Sequence, residues 1–599
     1  MRRRRVPADA GRRLHDWLHG HPTGLLTLAI AIGAGAGLGA VVFRYLILWF
    51  TILFSGHEDY SAAGHASHPL VPLLGIWFVV LVPVLGGLSY GMLVDRFARE
   101  ARGHGVPEVM LAVAEQGGRI RPQVAAVKSL ASALCIGSGG SVGREGPIVQ
   151  IGAALGSTLG QLLHVPEARL RLLVACGAAA GISATFNAPI SGVIFALELI
   201  LRDFEADSFG VVVPAAVVAD VIGRAAFGSQ AFLELPQFHL RSLAEYGLYA
   251  GLGVLAAGAG VGFIRVLYGL EDVTDRLWRG PEWLRPAAGG LLLGLLLLVL
   301  PEMYGVGYPV LEHAVRGDYA VGLLLIFFVG KILATSLTIA IGGSGGVFAP
   351  SLFIGAMLGT AYGDVIQRWV PGLHGPAGAY GLVGMGALFA GAGRAPMTAV
   401  IIIFELTGDY QIILPLMFAI AVATAGSSLL SADTIYTLKL RRRGIDIRRQ
   451  RPLDMMDVLR VHDAMRAVPT AVPATTLLAD IVGRFDETDL DALPLVDGDG
   501  RYRGVIALRQ VERALSEPEH ETLAADLGEQ PSTLRTGQSL KQALPLLLHG
   551  ELTGLPVVSD DGATLVGWLT HRDVLHACQS RLPSHGRPPA APGRVSGVV

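Results

Sequence analysis

The stretch GGSVGREGP, residues 139–147, places an arginine and a glutamate inside a glycine-rich break between two apolar runs. Later in the chain, GGSGGVFAP at 342–350 repeats the pattern without the two charges. Extended to 139–156 and 342–359, the two segments agree at 10 of 18 positions, at an offset of 203 residues. A second pair, APISGVIFALE (188–198) and APMTAVIIIFE (395–405), follows at an offset of 207. We therefore predict two homologous halves, at about 22–227 and 243–440.

The composition predicts a membrane domain followed by a soluble domain. Of the 599 residues, 52% are hydrophobic and only 16% are charged, whereas soluble proteins carry about a quarter charged residues. Residues 22–440 are apolar with isolated charges, and 441–456 form a linker to a tail of ordinary polarity. The net charge of −2 offers no basic field for nucleic acid.

Arginines flank the predicted membrane domain on both sides. Arg2–Arg5 lie in the first 21 residues, and Arg441–Arg443 follow the last apolar run. Under the positive-inside rule both termini are expected in the cytoplasm. The first apolar run is too long for a cleaved signal peptide and reads as a tilted membrane helix.

Several apolar segments are short and begin at glycine-rich turns, with helices expected at 107–116, 146–162, 348–366 and 395–407. Irregular backbone at membrane depth is tolerated where it is buried in protein or lines a cavity. Broken helices at matching positions of two halves point to a substrate site at the repeat interface. Each helix N-terminus presents free N–H groups and partial positive charge, so converging N-termini form an anion site.

Glu145 stands where one of these helices begins. A carboxylate at that position is itself an anion, so it can occupy the place of a transported anion when ionised and leave when protonated. We predict that Glu145 is a gate. The alternative is that Arg144 and Glu145 form a buried local pair or a helix cap, a role that suits Arg144 better than Glu145.

Three stretches carry a family resemblance: GHGVPE (103–108), GREGP (143–147) and GGVFAP (345–350). In order and spacing they resemble the anion-site segments of the CLC family of chloride channels and chloride/proton exchangers, over about 22–440. The resemblance, to prokaryotic members with a cytoplasmic tail, implies an all-α polytopic fold of two inverted-repeat halves with broken helices. It also implies a homodimer in lipid, one chloride pathway per subunit, and a bacterial inner membrane.

The resemblance implies a role for individual residues. Glu145 corresponds to the external gating glutamate, and the hydroxyl of Tyr436 corresponds to an inner ligand of the central anion. The alternative for Tyr436 is a tyrosine of the interfacial belt. The remaining anion-binding residues implied by the three stretches are His104, Gly105, Val106, Gly143, Arg144, Gly146, Gly346, Val347, Phe348 and Ala349.

Two residues depart from the family pattern. His104 stands where most chloride-selective members have serine. A neutral imidazole donates one hydrogen bond, as a serine hydroxyl does, but it is bulkier and can become cationic. The resemblance therefore leaves open which anion is transported. Leu199 stands where coupled exchangers carry the internal proton-transfer glutamate. Leucine cannot carry a proton, so passive conduction is favoured, although Glu198 or Asp203 with water could replace the lost group.

The tail contains a repeat of its own. LPLVDGDGRYRGVIALRQV (493–511) resembles LPVVSDDGATLVGWLTHRDV (555–574), each reading as strand, turn, strand and helix. This resembles a tandem pair of CBS domains, an α/β module expected at 457–516 and 523–579. The last residues, 582–599, are rich in proline and glycine and are expected to be disordered.

CBS pairs often bind adenine nucleotides, and the second unit carries the corresponding signature. The resemblance implies that Gly567, Thr570 and Asp573 form it, with Thr570 toward a phosphate and Asp573 toward the ribose. In the first unit Ala507 and Gln510 occupy the matching places. The alternative for Thr570 and Asp573 is a helix N-cap followed by a first-turn acid.

Two other classes of function compete with anion transport. A secondary transporter of an organic substrate would need a larger polar or aromatic pocket, which the short Gly-x-Pro elements disfavour. A membrane enzyme would need a catalytic motif, and the sequence contains no HExxH, GxSxG or Walker A pattern. The three cysteines are scattered without a metal-binding spacing, so no cofactor is expected to be required.

Overall fold

The structure is a computed structural model that describes residues 22–228, 243–369, 375–447, 456, 459–488, 490–516, 522–550, 552–559, 562 and 564–580. The predicted basic segment 1–21 and the tail 582–599 lie outside the described residues. The chain divides into two compact units, 1–447 and 448–599. The first unit continues past residue 440, because Ile447 is buried in its core.

The first unit is helical, and its helices fall into two series. The first series consists of α1 (Pro22–Ser55), α2 (Phe78–Phe97), α3 (Val106–Glu115), α4 (Gln123–Gly137), α5 (Glu145–Leu162), α6 (Glu167–Phe186), α7 (Pro189–Phe195, continued by a π-helical turn Ala196–Leu201) and α8 (Ala206–Phe227). The second series consists of α9 (Glu245–Leu277), α10 (Arg285–Val299), α11 (Tyr308–Arg316), α12 (Val321–Ala340), α13 (Phe348–Trp369), α14 (Ala377–Gly393), α15 (Pro396–Thr407), α16 (Ile413–Leu430) and α17 (Thr437–Arg442).

A reciprocal hydrogen bond relates the two series by a local two-fold axis. Gly143 and Gly346 are equivalent positions of the repeat and form an antiparallel bridge. The amide of Gly143 donates to the carbonyl of Gly346 at 2.7 Å, and the amide of Gly346 donates back at 2.6 Å. Equivalent residues that pair in opposite chain directions place the two halves in inverted orientation, as predicted.

Close helix crossings also recur in both halves. At the α5–α6 crossing, a Cβ added at Gly152 would lie 2.0 Å from the carbonyl oxygen of Gly177. At the α13–α14 crossing, a Cβ added at Gly355 would lie 2.3 Å from the carbonyl oxygen of Gly384. Small residues let helix backbones approach closely, which is how membrane helices pack without a hydrophobic driving force. Eight helices of the described residues are long and apolar enough to cross a membrane.

The second unit contains two similar α/β domains, each with a three-stranded sheet. The first has β1 (Val472–Pro473), α19 (Leu478–Asp486), β2 (Ala492–Val496), β3 (Tyr502–Ala507) and α20 (Leu508–Ser516), after a short α18 (Val461–Ala464). The second has β4 (Leu534–Arg535), α21 (Leu540–His549), β5 (Gly554–Val558), β6 (Leu565–Thr570) and α22 (His571–Ser580). In each sheet the first pair of strands is parallel and the second antiparallel.

Local chemistry explains these elements. The side chain of Asp497 accepts hydrogen bonds from the amides of Asp499 and Arg501, which closes the predicted turn between β2 and β3. Ser539 and Gln542 form a capping box that starts α21. The strand–turn–strand–helix order predicted for both repeats of the tail is therefore present.

Candidate anion-binding site

Three glycine-containing loops meet at the centre of the first unit. The amide of Gly103 donates to the carbonyl of Gly343 at 3.0 Å, and the amide of Gly345 donates to the carbonyl of Gly103 at 3.3 Å. A Cβ added at Gly146 would lie 2.0 Å from the carbonyl oxygen of His104. The loops before α3, α5 and α13 are thus in backbone contact, which brings three helix N-termini to one place.

Glu145 occupies the centre of this arrangement. It is the first residue of α5, and only 2% of its surface is exposed. Its Oε2 accepts a hydrogen bond from the amide of Ala349 at 3.3 Å, in the first turn of α13. This amide has no partner within its own helix, because the first four N–H groups of a helix lack a preceding carbonyl. The carboxylate therefore lies where an anion would be held by α13.

Glycines around the carboxylate leave no room for side chains. A Cβ added at Gly143 would lie 2.0 Å from Oε2 of Glu145, and one added at Gly346 would lie 3.4 Å from the same oxygen. Val347, Phe348 and Ala349 are all nearly fully buried. The pocket around Oε2 is therefore lined by backbone.

Tyr308 contacts the same carboxylate from another side. Its hydroxyl donates to Oε1 of Glu145 at 2.8 Å. Tyr308 also lines a cavity of about 490 Å³ with Arg44, Tyr45, Arg144 and Tyr304, which we call the arginine cavity. The guanidinium carbon of Arg144 lies 5.2 Å from the Tyr308 ring centroid and 5.8 Å from that of Phe186. Arg144 thus forms a wall of the cavity and packs on aromatic faces.

Aromatic contacts connect Phe348 to the Tyr436 region. The ring centroids of Phe348 and Phe389 are 4.4 Å apart. The rings of Phe389 and Tyr436 both lie beside Gly393: a Cβ added at Gly393 would lie 3.4 Å from Phe389 and 3.3 Å from Tyr436. Tyr436 is 1% exposed in this structure, so it is enclosed by protein at the start of α17.

His104 is fully buried, and neither ring nitrogen has a hydrogen-bond partner among the residues that the structure describes. Its ring lies edge-on to Tyr268 at 6.3 Å between centroids. A buried imidazole without partners costs free energy unless water or a ligand completes its hydrogen bonds. The first turn of α3, with Gly105 and Val106, begins directly after it.

Two buried lysines occupy equivalent positions of the halves and support the short helices. Lys128 donates to the carbonyls of Ala101 and Gly103 before α3, at 2.9 and 2.7 Å. Lys331 donates to the carbonyls of Gly305 and Val306 before α11, at 3.0 and 2.8 Å. Sequence reasoning missed both, although a lysine within each apolar helix at the repeat offset of 203 was a usable signal.

Two glutamates cap helices across the halves. Oε2 of Glu198 accepts from the amide of Thr398 at 2.8 Å and from its hydroxyl at 2.6 Å, at the start of α15. Oε2 of Glu405 accepts from the amide of Ser191 at 2.7 Å and also from its hydroxyl, at the start of α7. The glutamate that follows each Ala-Pro pair in the sequence is therefore a cap for the other half.

Leu199 follows Glu198 in the π-helical turn and is 6% exposed. Helix α7 carries this turn, whereas its counterpart α15 is a regular helix. The position to which the family resemblance assigns the internal proton-transfer glutamate is thus apolar and enclosed.

In the second unit, both oxygens of the Asp573 carboxylate accept hydrogen bonds. Arg466 donates to its two oxygens at 2.9 and 2.6 Å, and the amide and hydroxyl of Thr570 donate at 3.0 and 2.6 Å. Partial burial raises the pKa of the Asp573 carboxyl, but the hydrogen bonds from Arg466 and Thr570 outweigh burial and lower the pKa below its ordinary value. The stabilisation from this pair is complete at neutral pH and is lost only as the pH falls through that lowered pKa.

Gly567 is covered in this structure, since a Cβ added there would lie 2.5 Å from Sδ of Met465. In the first α/β domain of the tail, Gln510 makes the equivalent contacts: its side chain accepts from the amide of Ala507 at 3.1 Å and donates to Glu529 at 3.1 Å. The described residues contain no group of three or more His, Cys, Asp or Glu side chains that could hold a metal ion.

Comparisons with known proteins agree with this arrangement. The sequence model described as voltage gated chloride channel matches residues 86–428, and that of the CBS domain matches at 461–517 and 525–580. A ClcB-like protein from Ralstonia nicotianae is 35% identical over 435 residues, covering 72% of this chain and 99% of that protein. The H(+)/Cl(−) exchange transporter ClcA from Cronobacter sakazakii is 35% identical over 433 residues, covering 70% of this chain and 90% of that protein.

Solved structures give the same result. A slow cyanobacterial Cl−/H+ antiporter superposes with a TM-score of 0.63 at 26% identity, covering 71% of this chain and 98% of that one. A eukaryotic CLC transporter superposes with a TM-score of 0.59 at 20% identity and covers 92% of this chain and 97% of its own. The second similarity shows the fold alone, and its coverage includes most of the tail.

Proposed function

The chain belongs to the family of voltage-gated chloride channels, with two CBS domains in its tail, and on that premise we propose that it moves chloride or another small anion across the membrane through the three-loop site, with Glu145 as the gate. The observation that carries this proposal is the contact between Glu145 and the amide of Ala349, since the gate's carboxylate sits on a helix N-terminus suited to an anion. When Glu145 is protonated and leaves, an anion takes its place. An organic substrate would not fit a pocket lined by closely packed glycines.

The proposed anion ligands are backbone amides with two side-chain donors. Amides of Val347 to Ala349 supply the main contacts, and the hydroxyl of Tyr436 supplies another. The predicted contribution of Gly346 is steric only, because its amide donates to the carbonyl of Gly143. Gly105, Val106, Gly143 and Gly146 shape the site through the loop contacts described above. Amide dipoles hold an anion weakly enough to release it, which conduction requires.

His104 completes this site in the proposal. Its two unpartnered ring nitrogens provide one donor and one acceptor when the imidazole is neutral. The donor replaces the hydroxyl that serine supplies in the family pattern. The larger imidazole reduces the free volume beside the anion, so His104 contributes to the selectivity of this chain.

We propose passive conduction as the transport mode. Proton-coupled exchange needs a protonatable relay leading to Glu145. Leu199 cannot serve, and the carboxylate of Glu198 is committed to three donors at the start of α15. Coupled exchange is the second candidate, because relatives at 35% and 26% identity are named as an exchange transporter and an antiporter. It would require Glu198 or Asp203 to accept protons through water.

The two modes give different reversal potentials. In liposomes with a chloride gradient, we expect the purified protein to reverse at the chloride equilibrium potential and to ignore an added pH gradient. The Glu198→Gln variant should behave in the same way, because the cap is structural. If a pH gradient shifts the reversal potential or drives chloride uphill, passive conduction is wrong, and loss of that shift in Glu198→Gln would identify the relay.

The family also supports an assembly and a location. We propose a homodimer with one pathway per subunit in a bacterial inner membrane. The arginines before α1 and after α17 place both termini in the cytoplasm under the positive-inside rule. Arg44 and Tyr45 lie in the second half of α1, away from its cytoplasmic N-terminal end, so in this proposal the arginine cavity is the external mouth of the path.

For the CBS pair we propose that an adenine nucleotide binds at the second signature. The ribose hydroxyls would replace Arg466 on Asp573, which frees the guanidinium for the phosphates. Thr570 would then donate its hydroxyl to a phosphate oxygen. Met465 must also move away from Gly567, because its sulfur covers that position.

Asp573→Ala is expected to weaken ATP or AMP binding to the full-length protein at least about tenfold, because a charged hydrogen-bond acceptor is lost. Isothermal titration of the detergent-solubilised protein measures this change. Gln510→Ala, at the matching position of the first α/β domain of the tail, is the control and should leave the nucleotide affinity unchanged. Equal affinities of wild type and Asp573→Ala would show that the nucleotide does not bind at the second signature. No heat with any adenine nucleotide would leave the pair a structural or dimerisation element.

A further inference from the structure

The short helix α11 is the second-half counterpart of α3. The motif GVGYP at 305–309 repeats GHGVP at 103–107 at an offset of 202. Each motif is held by a buried lysine that donates to its carbonyls, Lys128 for the first and Lys331 for the second. Helix α3 starts with Val106, whereas α11 starts with Tyr308. The second half therefore presents a phenol hydroxyl where the first half presents only an aliphatic side chain.

The support beneath Tyr308 is rigid. Lys331 is fully buried and fixes the two residues before Gly307, and its Nζ lies 4.9 Å from the ring centroid of Phe353. A Cβ added at Gly307 would lie 3.1 Å from the same phenylalanine ring. These contacts fix the backbone from which the Tyr308 side chain extends, and a fixed supporting shell favours a precise hydrogen bond.

The hydroxyl lies between the arginine cavity and Glu145. Tyr308 is partly exposed and lines the cavity, whereas Glu145 is 2% exposed and donor contacts reach both of its oxygens, from Tyr308 and from Ala349. A hydrogen bond from a neutral hydroxyl to an ionised carboxylate is charge-assisted and stronger than one to a protonated acid. The contact therefore favours the ionised, inward position of the gate.

We propose that Tyr308 is a latch that holds the Glu145 gate closed and sets the pH at which the gate opens. The latch rests on the proposed function of Glu145 as the gate. When Glu145 is protonated, the carboxyl loses charge, the hydrogen bond from Tyr308 weakens, and the side chain is released. Tyr308 is thus a positioning residue for the gate and does not itself bind the transported anion.

Other charged or titratable side chains act on Glu145 electrostatically: Arg144 beside it, Lys331 on α12 and Tyr436 at the start of α17. All three are retained when Tyr308 is replaced by phenylalanine. The ring of Tyr308, on which the Arg144 guanidinium packs, is also retained. Tyr308→Phe therefore removes the hydroxyl, with its hydrogen bonds to Glu145 and Arg144, and leaves the surrounding charges in place.

The test is anion flux from liposomes at symmetrical pH, measured from acid to alkaline conditions for wild type and Tyr308→Phe. Loss of one charge-assisted hydrogen bond is expected to lower the closed-to-open ratio at neutral pH about tenfold. The pH of half-maximal flux should rise by about one unit, since a tenfold change in the ratio is offset by a tenfold change in proton concentration. Tyr45→Phe, on the wall of the same cavity without a contact to Glu145, is the matched control and should keep the wild-type profile.

A double variant separates the latch from the gate. In the Glu145→Gln background, Tyr308→Phe should add nothing, because the ionised acceptor is gone. If Glu145→Gln abolishes pH dependence but Tyr308→Phe retains the wild-type profile, the latch is wrong and the gate stands. If Glu145→Gln keeps its pH dependence, the gate itself is wrong. A monodisperse Tyr308→Phe protein that conducts at no pH would also overturn the latch, since the hydroxyl would then be needed for conduction.

Discussion

Replacing Glu145 by glutamine is expected to abolish the pH dependence of anion flux and to leave the anion path open at every pH. Glutamine has the shape of the protonated acid but no charge, so it cannot compete as an anion for the amide of Ala349. Each charge-assisted hydrogen bond of the closed state contributes about 1.5–3 kcal/mol, so flux at neutral pH should rise about tenfold or more. Glu145→Ala should behave similarly, because it removes the carboxylate altogether. Chloride efflux from liposomes across a pH series measures both variants.

Glu312→Gln is the matched control, since Glu312 is a carboxylate on the wall of the arginine cavity that pairs with Arg316 on the same helix. Its removal should leave the pH profile unchanged. The gate assignment would be refuted if Glu145→Gln stopped all anion movement while proton gradients still moved normally. That outcome would make the carboxylate a part of the conducting site.

Gly146→Ala is expected to lose most anion binding and flux. The added Cβ would lie 2.0 Å from the carbonyl oxygen of His104 and 3.0 Å from Cα of Gly346, so it meets backbone on both sides. No side chain can move to relieve the clash, and the loops before α3 and α13 would be forced apart. Overpacking of this kind costs about 1–3 kcal/mol, which corresponds to about fivefold to 150-fold in affinity if the whole cost falls on the anion site. Chloride titration calorimetry and liposome flux measure the loss.

Gly152→Ala separates this local effect from general destabilisation. Its Cβ would also lie 2.0 Å from a backbone oxygen, that of Gly177, but at the α5–α6 crossing. We expect this variant to be less stable, with normal anion affinity in the folded fraction. Gly258→Ala, which meets no atom within 4 Å, should match wild type in both respects. Wild-type affinity in Gly146→Ala would show that the contact between the loops does not shape the site.

The fold was largely predictable because its determinants are local. Glycine-rich turns followed by proline near the first helical position mark where short helices begin, and α3, α5, α13 and α15 start within a few residues of the predicted positions. Repetition at similar offsets of 203 and 207 residues predicted the two halves. The length of the apolar runs and the positions of the flanking arginines distinguished the membrane unit from the tail.

The side-chain partners were less predictable. Sequence reasoning singled out Glu145 but missed Tyr308, which lies 163 residues away and donates to it. The glutamate nine residues after each proline was noticed as a repeat, but its capping of the other half was not. Such contacts depend on how two distant segments pack, and the polarity of one segment does not show which other segment lies against it.

The sequence alone predicted the membrane unit, its two homologous halves and the glycine-rich loops, because these follow from hydropathy, local backbone preferences and repeats along the chain. The motifs also carried the family resemblance, which implied that the two halves are inverted. Only the tertiary structure decided that Glu145 lies on the amide of Ala349, that Tyr308 reaches the same carboxylate, and that Glu198 is used as a cap. The physical reason is that hydrogen bonds are short and directional. Their partners here lie some 160 to 200 residues apart in the chain and meet only when the two halves pack about their common axis.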